Sequence, residues 1–119
     1  MKRMVLIDDH ADEARALASS LRARGWDVTV AHSARAAFDL VTATQPDVVI
    51  TELALPDAQG LHVARALRSL ADRDLVIVAL TRLADQLGES ALAAGYDHVA
   101  SKPAQVDTLH ARLDDLIAS

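Results

Sequence analysis

Short apolar runs alternate along this chain with stripes of helical period. The runs lie at Arg3 to Asp8, Trp26 to Ala31, Asp47 to Glu52, Leu75 to Leu80 and His98 to Ser101. Near-continuous apolar runs of this length are how strands buried on both faces read. Between them fall Leu17 and Leu21, then Ala37, Phe38 and Val41, then Leu61, Ala64 and Leu67, then Leu83, Leu87 and Ala91. Val106, Leu109, Leu113 and Leu116 make the last and clearest stripe, at spacings of three and four. Gly25 and Gly95 stand where left-handed helix caps are expected, Ser33 is placed to cap the second helix, and Pro46 returns the chain to extended backbone. Such alternation predicts βα units around a parallel sheet. Right-handed crossovers on both faces then give a three-layer, doubly wound (βα)5 sandwich of strand order 2-1-3-4-5, one domain over residues 1–119.

Four of the runs end in residues that suit a single polar site: Asp8 and Asp9, Glu52, Thr81, and Lys102. Ligands of open α/β sheets bind beyond the carboxyl ends of the strands. In the predicted order the first, third, fourth and fifth strands end side by side, so these residues converge. Three carboxylates, a hydroxyl and an ammonium suit a hard cation and a phosphate. Magnesium takes oxygen ligands and keeps several waters, and a lysine supplies a point charge for phosphate oxygens.

Composition narrows the classes. There are no cysteines, which excludes a disulfide framework and a thiolate metal site. A formal net charge of -5 argues against a phosphate-neutralising nucleic-acid face. One Trp, one Tyr and one Phe supply little for base stacking. The first strand reaches Asp8 and Asp9 too soon for a signal peptide, and no apolar stretch approaches spanning length. A cytoplasmic chain without nucleic-acid or membrane partners is therefore expected. Arg15, Arg22, Arg24 and Arg35 read as solvated helix faces, Asp114 and Asp115 as exposed acids, and Trp26 and Tyr96 as packing at strand starts. The five histidines, His10, His32, His62, His98 and His110, include no i, i+4 pair and no shared strand end, so none is read as a ligand.

Several stretches together carry a resemblance: Val5-Leu6-Ile7-Asp8-Asp9-His10, Pro46 to Leu53, Leu55-Pro56 with Gly60, Ala79-Leu80-Thr81, and Gly95-Tyr96-Asp97 leading to Ser101-Lys102-Pro103. Over essentially its whole length the chain resembles the receiver domain of two-component response regulators, a flavodoxin/CheY-like fold. The resemblance implies that Asp8 and Asp9 bind magnesium together with the acid ending the third strand, which in the family is a phosphoacceptor aspartate. It implies that Thr81 and Lys102 read the phosphate, that the Lys102–Pro103 peptide is cis, and that the partners are a histidine kinase or an effector domain. The face of the fourth helix, fifth strand and fifth helix is the family's dimer and effector surface, here Leu87 to Ala94 and Asp107 to Arg112. The Gly95 to Pro103 stretch looks most like receivers attached to hybrid sensor kinases.

The departures from the family pattern matter as much. Glu52 stands at the acceptor position, and its extra methylene moves the carboxylate outward by about 1 Å. A misplacement of that size costs about 10²-fold where alignment is decisive, and phosphoryl transfer rests on positioning and charge. Nor is a planar, singly charged carboxylate a phosphoryl group. Ala54 and Leu83, at positions that tune water attack in the family, are apolar, and Val99 replaces a frequent aromatic. Arg82 replaces a small residue and is expected to shield the pocket or reach Glu52. The implied function is a pseudo-receiver, not an enzyme, acting through protein contact with weak Mg2+ binding, since Lys102 can itself compensate the clustered acids. The rivals are a magnesium-dependent receiver still phosphorylated on Glu52, an engineered phosphomimetic of an ordinary receiver, and a small-molecule module, which lacks a glycine-rich loop after the first strand.

Overall fold

The computed structural model describes residues 2–118. Five parallel strands form one sheet: β1 (Lys2–Ile7), β2 (Trp26–Ala31), β3 (Val48–Thr51), β6 (Val76–Thr81) and β7 (His98–Ser101), in the order β2-β1-β3-β6-β7. This is the expected 2-1-3-4-5 order. Numbers four and five fall to two short strands outside the sheet, β4 (Ala54–Leu55) and β5 (Ala58–Gln59), which pair antiparallel. That hairpin was not foreseen, because two residues are too few to show a period.

Alternation along each central strand sends successive side chains to opposite faces. Val5, Ile7, Val49, Ile77 and Ala79 pack with Ala37 and Val41 of α2 (Ala34–Thr44), Val63, Ala64 and Leu67 of α3 (Gly60–Leu70), and Ala91 of α4 (Ala84–Ala93). Met4, Leu6, Val48, Ile50, Val78 and Leu80 face Ala14, Ala18 and Leu21 of α1 (Ala11–Arg22) and Leu109 and Leu113 of α5 (Val106–Ala118). Each fully buried Leu, Ile or Val contributes about 1.5–3 kcal/mol, so both helical layers are fastened to the sheet. The fourth stripe is the weakest. Leu83 is the residue before α4 rather than part of it, Leu87 is half-buried, and only Ala91 is buried.

The helix ends follow their local chemistry. Ser33 Oγ accepts from the Ala36 amide at 3.1 Å, as expected, and Asp57 in the β4–β5 turn accepts from the amides of Ala34 and Arg35 at 3.0 and 3.1 Å. Those two amides hold the Asp57 carboxyl below its ordinary value. Gly95, at φ 110, closes α4 with the Tyr96 amide on Ala91 O and its own on Leu92 O. Gln45, not a glycine, takes φ 45 after α2, and its side-chain amide repays the strain by donating to Val41 O and Leu70 O. At the start of α3 a Cβ on Gly60 would lie 2.3 Å from Leu53 O, so only glycine lets the hairpin fold back this closely. The Lys102–Pro103 peptide is cis.

Candidate functional site

The register fixes where the polar residues stand. Ile7 pairs with Thr51, and Thr81 with Ser101, so Asp8, Glu52 and Lys102 each follow the last residue of their strand. Their backbones continue the ladders: Asp8 N donates to Ala31 O, Glu52 N to Ile7 O and Lys102 N to Thr81 O, each at 3.0 Å. The side chains are thus projected from one rigid edge.

Lys102 is the centre of what they form. Its Nζ donates to Asp8 Oδ2 at 2.7 Å and Glu13 Oε2 at 3.1 Å, and stands 3.1 Å from Glu52 Oε1. The side chains of Lys102, Asp8 and Glu52 are 5%, 7% and 6% exposed. Burial disfavours the ammonium, but hydrogen bonds to the three carboxylates reverse this and hold the Lys102 pKa above the ordinary lysine value. Glu52 Oε2 is held separately, accepting from the Leu53 amide at 2.7 Å and the Ala54 amide at 3.4 Å. Thr81 is fully buried, and its hydroxyl accepts from the Leu83 amide at 3.1 Å, tying it to the start of α4.

Glu13 was missed in the sequence, where it looks like any acid in a first helical turn. It joins the network from α1 and carries a second cation, with Arg82 Nη2 donating to Oε1 at 2.9 Å. Arg82 does reach over the cleft, but its partner is Glu13 rather than Glu52. Hydrogen bonds from Arg82 and then Lys102 lower the Glu13 pKa to about 2. Beside this network a cavity of about 270 Å³ opens between Leu17 of α1, Leu80 of β6 and Pro103, Ala104 and Val106 before and within α5.

Asp9 has a side chain 31% exposed, its Oδ1 3.5 Å from His10 Nδ1. Among the described residues, the ligand-capable atoms gathered within 4.8 Å of one another belong to Asp8, Asp9 and His10. Of the three acids expected around a divalent cation, Asp8 and Asp9 therefore fit an oxygen-ligated ion open to water. Glu52 stands on the other side of Lys102, with Oε1 facing the ammonium and Oε2 accepting from two amides, much as each oxygen of Asp8 has its own hydrogen-bond partner.

The comparisons agree with this geometry. Residues 4–114 match the family model of the response regulator receiver domain. Response regulator MprA of Mycolicibacterium vanbaalenii is 36% identical over 97% of this chain, and its counterpart in Mycobacterium avium is 34% identical over the same share. The chain spans about half the length of these relatives, 50% of each. Among solved structures, a Burkholderia pseudomallei response regulator with a phosphorylated aspartic acid, calcium ion and citrate is 29% identical, with a TM-score of 0.86 over 99% of this chain and 72% of that one. The receiver domain of a Pseudomonas aeruginosa sensor histidine kinase, with magnesium in its active-site cleft, is 26% identical, with a TM-score of 0.89 over 99% and 98%. Sheet order, strand-end cleft and family match converge: the chain belongs to the response regulator receiver domain family.

Proposed function

We propose that this chain is an atypical receiver of two-component phosphorelay signalling whose output is protein contact, independent of phosphorylation, with Glu52 in place of the acceptor aspartate. The observation that carries this reading is the double engagement of Glu52, which leaves its carboxylate oriented by Lys102, Leu53 and Ala54. An acceptor needs an oxygen aligned with an incoming phosphoryl group, and here Lys102 and two backbone amides already orient both oxygens of the longer side chain. The Arg82–Glu13 fork adds a second closure over the same cleft. In this reading Asp8, Asp9 and Glu52 hold Mg2+ only weakly, because Lys102 already compensates the clustered acids.

The proposed partners are a histidine kinase or an effector domain. A second copy docking on the α4-β7-α5 face is part of the same reading; Leu92 on α4 is a large apolar side chain 52% exposed. We place the chain in the cytoplasm; no helix among the described residues is long and apolar enough to cross a membrane. Attachment to a hybrid kinase is consistent with the likeness to the Pseudomonas receiver, and a response-regulator setting with the likeness to MprA.

The second reading, phosphorylation of Glu52 itself, draws on the survival of Asp8, Asp9, Thr81 and Lys102 at strand ends. Affinity capture from the native cell separates the two. The wild-type chain is expected to retain the same partner equally with and without phosphodonor, whereas Glu52→Asp makes capture depend on the donor. Donor-dependent capture by the wild type overturns the proposal.

A further inference from the structure

We propose that His110 is a pH-sensitive latch, which fastens α5 to the first residue of β2 while its imidazole is neutral and lets go when the ring takes up a proton. The latch lies at the amino end of the sheet and does not depend on what Glu52 does.

Trp26 opens β2 and is buried in the layer it shares with Leu21 of α1 and with Leu109 and Leu113 of α5. Its Nε1–H donates to His110 Nδ1 at 3.1 Å, the rings meeting edge to face with planes 89° apart and centroids 6.4 Å apart. An indole nitrogen only donates, so Nδ1 has to accept. A histidine nitrogen accepts only when it carries no hydrogen, and this fixes the ring as the neutral tautomer protonated on Nε2. That hydrogen faces Asp114 Oδ2, 3.5 Å away and one turn further along α5.

Protonation therefore alters one side of the ring and leaves the other. The proton comes from water and lands on Nδ1, where it meets the indole N–H. Two donors then face each other, and the hydrogen bond between β2 and α5 is lost. A buried N–H is costly to leave without a partner, so the ring swings aside and water takes its place. Nε2 donates toward Asp114 in both states.

The charges around the ring are paired among themselves. Asp114, which draws a proton toward the imidazole, is engaged by Lys2 of β1, and Lys2 also stands 5.3 Å over the Trp26 ring. The hydrogen bond from Lys2 holds the Asp114 carboxyl below its ordinary range, with the charge of His110 adding to this, so it stays an anion while histidines titrate. Asp107, one turn before His110, accepts from Arg24 Nε at 3.1 Å. The change that mild acid brings to this corner thus falls on Nδ1. Because α5 is part of the face proposed for a second copy, pH becomes an input to that face that bypasses the strand-end cleft.

The chain holds one tryptophan, so its indole proton is a single NMR signal. Nitrogen shifts of the His110 ring read the tautomer, and solvent exchange of the indole proton, normalised to free N-acetyltryptophanamide at each pH, reads the bond. Wild type is expected to carry no hydrogen on Nδ1 at about pH 8 and to lose about fivefold in indole protection by about pH 5. His110→Asn puts an oxygen near the place of Nδ1 and accepts from the indole at either pH. Its protection should be retained and independent of pH, although the other histidines still titrate. His110→Ala should be poorly protected throughout.

A hydrogen on Nδ1 at about pH 8, wild-type protection that does not change with pH, or a loss of equal size in His110→Asn overturns the proposal. Circular dichroism at both pH values confirms that the chains compared are folded, and if His110→Ala does not fold, wild type and His110→Asn decide the outcome between them. None of these results alters the expected phosphodonor independence of partner capture, so the two readings fail separately.

Discussion

Ion pairs gather at both ends of the sheet, and the contrast between the two ends shows what burial does to them. At the amino end Lys2 pairs with Asp114, with side chains 49% and 41% exposed, and Arg73 reaches Asp47 at 3.0 Å, with side chains 54% and 29% exposed. Such pairs gain little, since water and salt compete for both partners. At the carboxyl end Lys102 is enclosed with Asp8 and Glu52. There, removing one partner leaves the others desolvated and uncompensated. The same chemistry is ornament at one end and constraint at the other, and only the second can fix the state of a cleft.

Lys102→Met tests this most severely. It leaves Asp8, Glu13 and Glu52 facing one another, and is expected to cost about 3–5 kcal/mol at neutral pH by urea unfolding with an unchanged slope. Acidification should narrow the deficit as the carboxylates protonate. A loss too small to resolve would mean that the carboxyl-end network is no stronger than the exposed one.

The pH dependence of Glu13 sharpens the comparison from inside the cleft. Arg82 and Lys102 depress its folded pKa from 4.5 to about 2. A depressed carboxyl stabilises the fold above its unfolded value and loses that contribution as pH falls through the folded one. The stability gap between wild type and Glu13→Gln should thus be full near about pH 6 and close progressively from 4.5 toward 2. A gap that does not change with pH would remove Glu13 from the network.

The smallest effect belongs to Lys2→Met. Its unfolding midpoint at physiological salt should match wild type, although Lys2 also lies 5.3 Å over the Trp26 ring. A loss comparable with that of Lys102→Met would erase the distinction between the two ends.

The sheet was legible in the sequence because parallel strands buried on both faces leave uninterrupted apolar runs, and β2 and β7 were bounded to the residue. The site was legible where it sits on strand ends, since topology alone brings Asp8, Glu52 and Lys102 together. What lies on helices and turns was not. Glu13 resembles a solvated helix acid until α1 is seen against Lys102, and Asp57 caps a helix that begins 23 residues earlier in the chain. Asp114 was taken as merely exposed, yet it meets Lys2 of β1 across the fold and His110 one turn earlier on α5.

The central claim is that Glu52, held by Lys102 and two amides, does not accept phosphate. Intact-mass measurement after incubation with acetyl phosphate and Mg2+, run on wild type beside Glu52→Asp, tests it most directly. The account predicts an unmodified wild type over a period in which Glu52→Asp gains one phosphoryl group, a difference of about 10²-fold in rate. A stoichiometric adduct on Glu52 of the wild type would contradict it.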